Sequence, residues 1–370
     1  MAQTNNADSE LDNCEFNATT MYHYNQTAFK TLELDFWFHR ILYKTLVPIL
    51  FGAVIVIGLI GNSMVLCVII SKKKMRTTVN LLLLNLALSD LIFLSLCVPF
   101  VTYHYAADNW NMGDLMCKLS QFLLYVTVYV TIYTLILIAA VRFFTVVYPS
   151  TSVRLRTKRD ICMVIGVIWA IMIVVNVPIL LVYRVKQFPV IDTNIIEEMH
   201  GAYRYCGIEN KETGQLLFLT FFVLTYILPL SVITTFNFLI MKFLHTSSRN
   251  NSLHSSSRSN ASRSAGCDRK SHVTRILMSV CLVFGICWLP LHAHLLVVYF
   301  QCQPKHKLYE IFRVMCHCLA YANSSMNPII YNYVSKDFRT SFKELFFPCR
   351  SCKQKYESDF DLRIRNSPLL

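Results

Sequence analysis

The chain reads as an all-α membrane protein: a bundle of seven spanning helices followed by a short amphipathic helix on the membrane surface. Three observations predict it. Of 370 residues, 54% are hydrophobic and only 15% are charged, a composition too apolar for ordinary soluble domains. Seven long stretches carry no charge or a single one, and each is long enough, at about 1.5 Å per residue, to cross a hydrocarbon core of about 30 Å. Helices are the natural open-ended solution, because lipid cannot satisfy stray backbone groups. Finally, the basic residues are unevenly shared: the connections after the first, third and fifth stretches, with the tail from Lys336, hold 24 of the 35 Lys and Arg. That bias places the tail in the cytoplasm and the N-terminus outside. The net charge of +13 is then concentrated on the cytoplasmic face, where it suits acidic headgroups better than nucleic acid.

Residues 1–45 are expected to form an extracellular tail. They contain no apolar core of a cleavable signal, so the first span is expected to serve for targeting. Asn17 and Asn25 stand in glycosylation sequons there. The bundle is expected over 46–334. Span one, about 46–71, contains Gly61 and Asn62, a glycine suited to close helix packing and an amide suited to bonding a neighbour. Lys72, Lys73, Lys74 and Arg76 make a tight inner turn. Span two, about 77–104, carries Asp90, the single acidic residue deep inside any span. An intramembrane carboxylate is costly unless it is neutralised or coordinates something, which marks Asp90 as functional; a protonated Asp acting as a structural plug is the alternative. Its candidate partners are Asn62, Thr131, Asn323, Ser324 and Asn327.

Span three, about 115–147, has 23 residues between Lys118 and Arg142 without a charge, a Gly or a Pro. Its polar residues point all round the barrel, so several faces must meet protein and the helix is central. Span four, about 160–183, holds Trp169 and a late Pro178. The long outer connection that follows contains Cys206. Cys117 and Cys206 are both expected at the outer surface, an oxidising place, where a bridge would pin the loop over helix three; Cys14 and Cys302 share that sidedness. Span five, about 214–242, contains Pro229, and span six, about 273–300, contains Pro290; each proline leaves a carbonyl unpaired and offers a bend. Between them, 245–271 is serine-rich with the composition of a linker. Span seven, about 311–333, ends in Asn323-Ser-Ser-Met-Asn327-Pro328-Ile-Ile-Tyr331. Residues 335–348 alternate apolar and charged groups at helical spacing, as in a helix lying on the membrane surface. Cys349 and Cys352 follow at the start of the tail, 349–370, as palmitoylation candidates.

Taken together, Gly61-Asn62, Leu86 through Asp90, Trp110, Cys117 with Cys206, Arg142, Trp169, Pro229, Phe284 with Cys287-Trp288-Leu-Pro290, and Asn327-Pro328-Ile-Ile-Tyr331 resemble the rhodopsin-like (class A) G-protein-coupled receptors from span one to the surface helix. The resemblance implies a ligand pocket opening outward and a G-protein site opening inward. It also implies that Asp90 with Thr131, Asn323, Ser324 and Asn327 forms a pocket for an allosteric sodium ion. Trp288 and Phe284 would be the switch beneath the ligand, with Pro290 and Pro328 as bends, Arg142 meeting the G protein and Tyr331 swinging towards it. Two positions depart from the pattern: Val141 precedes Arg142 where an Asp is usual, and Asn237 stands where a Tyr is usual.

Leu124 occupies the position where amine receptors carry an Asp, and no Lys lies between Arg313 and Lys336 for an opsin Schiff base. The long outer loop suits a peptide. Trp288-Leu-Pro290-Leu-His292 and Val334-Ser-Lys-Asp-Phe338-Arg339 look most like allatostatin-A and galanin receptors, implying a short C-terminally amidated peptide and an inhibitory G protein. Receptor kinase, arrestin and membrane lipid are the further partners implied. Gln121, Leu124, Tyr125, Trp288, His292, His317 and Tyr321 are the expected pocket lining. Receptors for other peptides (somatostatin, opioid or kisspeptin-like) stay open, as does a transporter or channel, although one intramembrane ionisable group is few for transport. No paired carboxylates, nucleotide loop, metal-ligand cluster or nucleophile triad supports catalysis.

Overall fold

A computed structural model describes Leu34 and residues 37–107, 109–149, 157–189, 202–253, 260–301, 306–334 and 336–346. Asn17, Asn25, Cys14, Cys302, Cys349, Cys352 and the serines at 255–257 lie outside the described residues. The helices are α1 (Trp37–Ser71), α2 (Thr78–Ala106), α3 (Gly113–Val147), α4 (Lys158–Val182), α5 (Lys211–Ser247), α6 (Asn260–Phe300), α7 (Lys307–Val334) and α8 (Lys336–Phe346). An antiparallel hairpin, β1 (Tyr183–Pro189) with β2 (Ala202–Ile208), pairs Tyr183 with Ile208 and Val185 with Cys206.

Among the described residues, six helices are long and apolar enough to cross a membrane: α1 to α5 and the Met278–Phe300 part of α6. The seventh is an unbroken helix of similar length that is less apolar, because Asn323, Ser324, Ser325 and Asn327 are buried against neighbours and do not face lipid. As the sequence suggests, α3 is central: 67% of its most apolar stretch is buried in the bundle, against 17% in α4.

The first helix starts earlier than composition alone indicates. It begins at Trp37 because Leu42 and Tyr43 are buried against the bundle, so packing extends the helix into residues assigned to the tail. Arg40–Leu46 of α1, Phe93–Cys97 of α2 and Val223–Ile227 of α5 are wound as π-helix. Each π segment ends two residues before a proline: Pro48, Pro99 and Pro229. The common cause is local, since a proline ring crowds the carbonyl one turn earlier and the wider turn makes room for it.

Polar side chains stitch the helices together. The Ser325 hydroxyl donates to the Val54 carbonyl (2.8 Å) and the Asn62 amide to the Ser324 carbonyl (3.0 Å), joining α1 to α7. A Cβ on Gly61 would stand 3.0 Å from Pro328, so a glycine lets the two backbones approach. Asn85 joins three helices: its amide donates to Thr134 on α3 (2.8 Å) and its oxygen accepts from the Trp169 indole on α4 (2.9 Å). Tyr226 on α5 donates to the Gly285 carbonyl on α6 (3.1 Å). At the end remote from the hairpin, Glu344 of α8 pairs with Lys72 (3.2 Å) and Lys74 (3.5 Å) of the turn after α1, while Phe338 is buried against the bundle. The hydrogen bond from Lys72 holds the Glu344 carboxyl below the usual glutamate range.

Candidate functional site

Cys117 at the start of α3 is bonded to Cys206 in β2, with their Cα atoms 5.5 Å apart. Hydrogen bonds from three backbone N–H groups complete the anchor. Trp110 N–H donates to the Arg204 carbonyl (2.8 Å), Arg204 N–H to Asn109 Oδ1 (2.9 Å) and Val185 N–H to Asp114 Oδ1 (2.9 Å). The turn into α3 needs Gly113 at φ +78°, a conformation other residues resist, and its carbonyl accepts from the Trp110 indole (2.9 Å). The hairpin is thereby fixed over one end of the bundle.

Beneath that end lies a cavity of about 700 Å³. Gln121, Leu124 and Tyr125 of α3, Trp288 of α6, and His317 and Tyr321 of α7 line it. Tyr125 meets Tyr183 of β1 hydroxyl to hydroxyl (3.2 Å), so the hairpin supplies part of the wall. Such a cavity, largely aromatic with a few fixed polar groups, has the size and lining of an organic ligand site.

Below the cavity runs a polar core. Asp90 is fully buried, Asn327 donates to its Oδ2 (2.9 Å), and Ser324 lies beside the carboxyl. Its Oδ1 is buried with no hydrogen-bond partner. Thr131, expected as a direct partner of Asp90, instead shares a hydrogen bond with Ser89 (2.8 Å), the residue just before it. Ser89 turns to a different face of α2, so Thr131 stands one step further out. Asn323 is buried on the same helix as Ser324 and Asn327. Asp90, Ser324, Ser89 and Thr131 offer oxygen donors, the type that hard cations take. Trp288 Nε1 and the Tyr331 hydroxyl are also buried without a partner. Arg142 lies near the opposite end of α3, about 25 Å along the helix from Tyr125.

The sequence from 61 to 331 matches the family described as 7 transmembrane receptor (rhodopsin family). The chain belongs to this family. The receptor is 30% identical to the allatostatin-A receptor of Bombyx mori over 86% of its own length and 82% of that protein. It is 32% identical to galanin receptor type 2 of Rattus norvegicus, covering 81% and 75% of the two chains, and 32% identical to galanin receptor type 1 of the same species, covering 84% of each. These relatives are receptors, and the receptor is not an enzyme.

One expected lining residue of the receptor is elsewhere. His292 does not reach the cavity: it is 1% exposed, within 3.3 Å of the Thr225 hydroxyl, and packed among Phe221, Phe222 and Tyr226. It faces the π turn of α5, which carries Thr225, and joins the two helices above the Trp288 ring, 6.0 Å away. Conversely, Tyr43, His104, Tyr105, His294 and Arg313 line the cavity without having been expected there. Tyr43 lay in the presumed tail and Arg313 marked the edge of an uncharged run, so reading spans as charge-free stretches discarded both. Near the Arg142 end, Asn237 is buried and donates weakly to Cys281 on α6 (3.5 Å).

Proposed function

We propose that the receptor is activated by an extracellular peptide, short and C-terminally amidated, and that it passes the event to a heterotrimeric G protein of the inhibitory type. The supporting observation is the aromatic cavity of about 700 Å³, roofed by a disulfide-anchored hairpin and set at the end of α3 away from Arg142. Likeness to allatostatin-A and galanin receptors supports a ligand of that class. In this reading the hairpin end faces the outside and α8 lies on the cytoplasmic membrane surface, where Arg142 and Tyr331 meet the G protein. Agonist in the cavity bears on Trp288 and Phe284, whose rings stand 6.0 Å apart, and shifts the α6 bend at Pro290 and the α7 bend at Pro328. Two packings of one bundle, each favoured by a different partner, suffice for transmission.

Asp90 Oδ1, with the hydroxyls of Ser324, Ser89 and Thr131, would hold a sodium ion, which supplies the positive charge the buried carboxylate lacks. Asn17 and Asn25 as glycosylation sites, Cys349 and Cys352 as lipidation sites, and kinase and arrestin as later partners belong to the same proposal. The test is a panel of amidated neuropeptides applied to cells expressing the receptor, with G-protein activation as the readout. Activation by at least one peptide, lost in Arg142→Ala, is expected. A panel that is silent throughout, or flux of a tracer solute independent of G proteins, would overturn the reading.

A further inference from the structure

Where α1, α2 and α7 meet the cavity, one guanidinium is held in place. Arg313 stacks on Tyr43 and Tyr105, each ring centroid 5.4 Å from its Cζ. Its Nη2 donates to the Tyr43 hydroxyl (2.6 Å) and pairs with Glu310 Oε2 (2.8 Å), and the Tyr43 hydroxyl in turn donates to that carboxylate. Both bonds leave from one nitrogen. Nε–H is buried and has no partner. Glu310 itself does not line the cavity, whereas Arg313, Tyr43 and Tyr105 do. Among the described residues lining it, Arg313 is the sole permanent charge, and there is no carboxylate. His104, His294 and His317 stand in the wall as well and bring no negative charge.

Rings on both tyrosines and an ion pair behind fix the guanidinium before any ligand arrives, so little freedom is lost when it binds. The Arg313 side chain lines the cavity and keeps 29% of its surface accessible, so it is open to a ligand. A guanidinium matches a carboxylate in charge and in its forked geometry. A ligand ammonium would meet a wall with a fixed cation and no acid.

We infer that Arg313 forms a subsite for an acidic group of the agonist, the Asp or Glu side chain of an amidated peptide of the kind proposed above or, in a peptide that is not amidated, its free C-terminus, and that it excludes basic groups there. The inference rests on the peptide-receptor reading and deepens it. Glu310 is the positioning residue: it orients Arg313 from outside and tempers its field.

The test uses full-length receptor in nanodiscs and four synthetic probes. N-acetyl-Glu-Tyr-amide carries a side-chain acid, N-acetyl-Gln-Tyr with a free C-terminus carries a terminal one, N-acetyl-Gln-Tyr-amide is neutral, and N-acetyl-Lys-Tyr-amide is basic. Thermal stabilisation against probe concentration is measured. At least one acidic probe is expected to act at about tenfold lower concentration than the neutral one, and the basic probe to be the weakest. The stronger acidic probe identifies the source of the carboxylate. Arg313→Gln is expected to erase the preference, and Glu310→Gln, whose amide oxygen still accepts from the guanidinium and keeps it oriented while the competing negative charge is gone, to sharpen it. A purely structural clamp would not give that opposite pair. No stabilisation by either acid, equal action of the neutral or basic probe, or a preference surviving Arg313→Gln overturns the inference. G-protein activation is read in separate cells, so a silent peptide panel counts against the signalling proposal and leaves the carboxylate preference to be judged on its own.

Discussion

Replacing Gly58 with Ala places a methyl group where α1, α2 and α7 converge. The new Cβ would overlap Leu94 Cδ1 and stand 2.6 Å from Ser325 Oγ, well inside contact distance. Neither neighbour can yield cheaply. Leu94 is fully buried and has no open side to turn to, and Ser325 Oγ donates to the Val54 carbonyl one helical turn from Gly58. Overpacking of this kind costs about 1–3 kcal/mol. Loss of the Ser325 bond adds about 1 kcal/mol, so the expected destabilisation is about 2–4 kcal/mol. Gly52, on the same helix, is the control: nothing lies within 4 Å of a Cβ built there. The assay is thermal unfolding of purified receptor followed by a thiol-reactive dye, which reports exposure of the buried Cys97, Cys281, Cys287 and Cys316. Gly58→Ala should unfold at clearly lower temperature and Gly52→Ala should not. Equal melting of the two variants would refute the claim that close backbone packing of α1 against α2 and α7 depends on that hydrogen-sized side chain.

Four further outcomes are expected. Asn85→Ala leaves the Trp169 indole and the Thr134 hydroxyl each without an interhelical partner, and should cost about 1–2 kcal/mol in the same melt; wild-type stability would show the three-helix knot to be idle. Cys117→Ser releases the hairpin across a sequence separation of 89 and should lose about 2–4 kcal/mol together with surface display; a Cys117→Ser/Cys206→Ser double variant no worse than either single one completes the test. Val141→Asp, which supplies the carboxylate absent beside Arg142, should lower basal second-messenger output, and unchanged output would sink that expectation. Glu344 has its carboxyl lowered by Lys72, so its contact with the turn after α1 is intact above the ordinary glutamate range of about 4 and is lost as pH falls below it. A spin label replacing the exposed Arg339 should therefore gain mobility at low pH, and already at neutral pH in Glu344→Gln; a label indifferent to both would count against the tie.

The architecture was legible because membrane helices must be long, apolar and internally bonded, and these demands are written directly into runs such as 119–141. The hydrogen bond of Asp90 with Asn327 and the cavity position of Gln121, Leu124, Tyr125, Trp288, His317 and Tyr321 could be anticipated from depth within a span, and the meeting of Cys117 with Cys206 from their shared outer side. Rotation about the helix axis could not. A π turn resets the phase of everything beyond it, and Val223–Ile227 does so in the helix that receives His292. The hairpin was missed because Tyr183–Pro189 and Ala202–Ile208 are short, mixed in polarity and separated by a long connection, with neither a tight turn nor an alternating face to announce pairing. Tyr43, Tyr105 and Arg313 were missed for another reason. A charged residue at a span boundary reads as solvent-facing, whereas here two aromatic faces and Glu310 make its burial tolerable.

The modest hydropathy of α7 follows from what it must contact. A helix that faces lipid spends its surface on aliphatic side chains, and α4, largely exposed, does so. Helix α7 instead meets α1 through Ser325 and the Ser324 carbonyl, α2 through Asn327 and Asp90, and α6 through Tyr309, whose hydroxyl lies 3.0 Å from His294. The same helix carries Arg313, His317 and Tyr321 into the cavity and ends at Tyr331 with its unpartnered hydroxyl. Buried polar groups left unpaired cost about 1–3 kcal/mol each. Asn62 Oδ1, Asp90 Oδ1, Trp288 Nε1 and the Tyr331 hydroxyl are four such atoms between the cavity floor and the far end of the bundle. They stand on α1, α2, α6 and α7, and a bundle built only for stability would exchange them for leucine. Their retention in a bundle already held by several satisfied bonds leaves the packing with partners still to gain, which is the condition for a second arrangement of similar free energy.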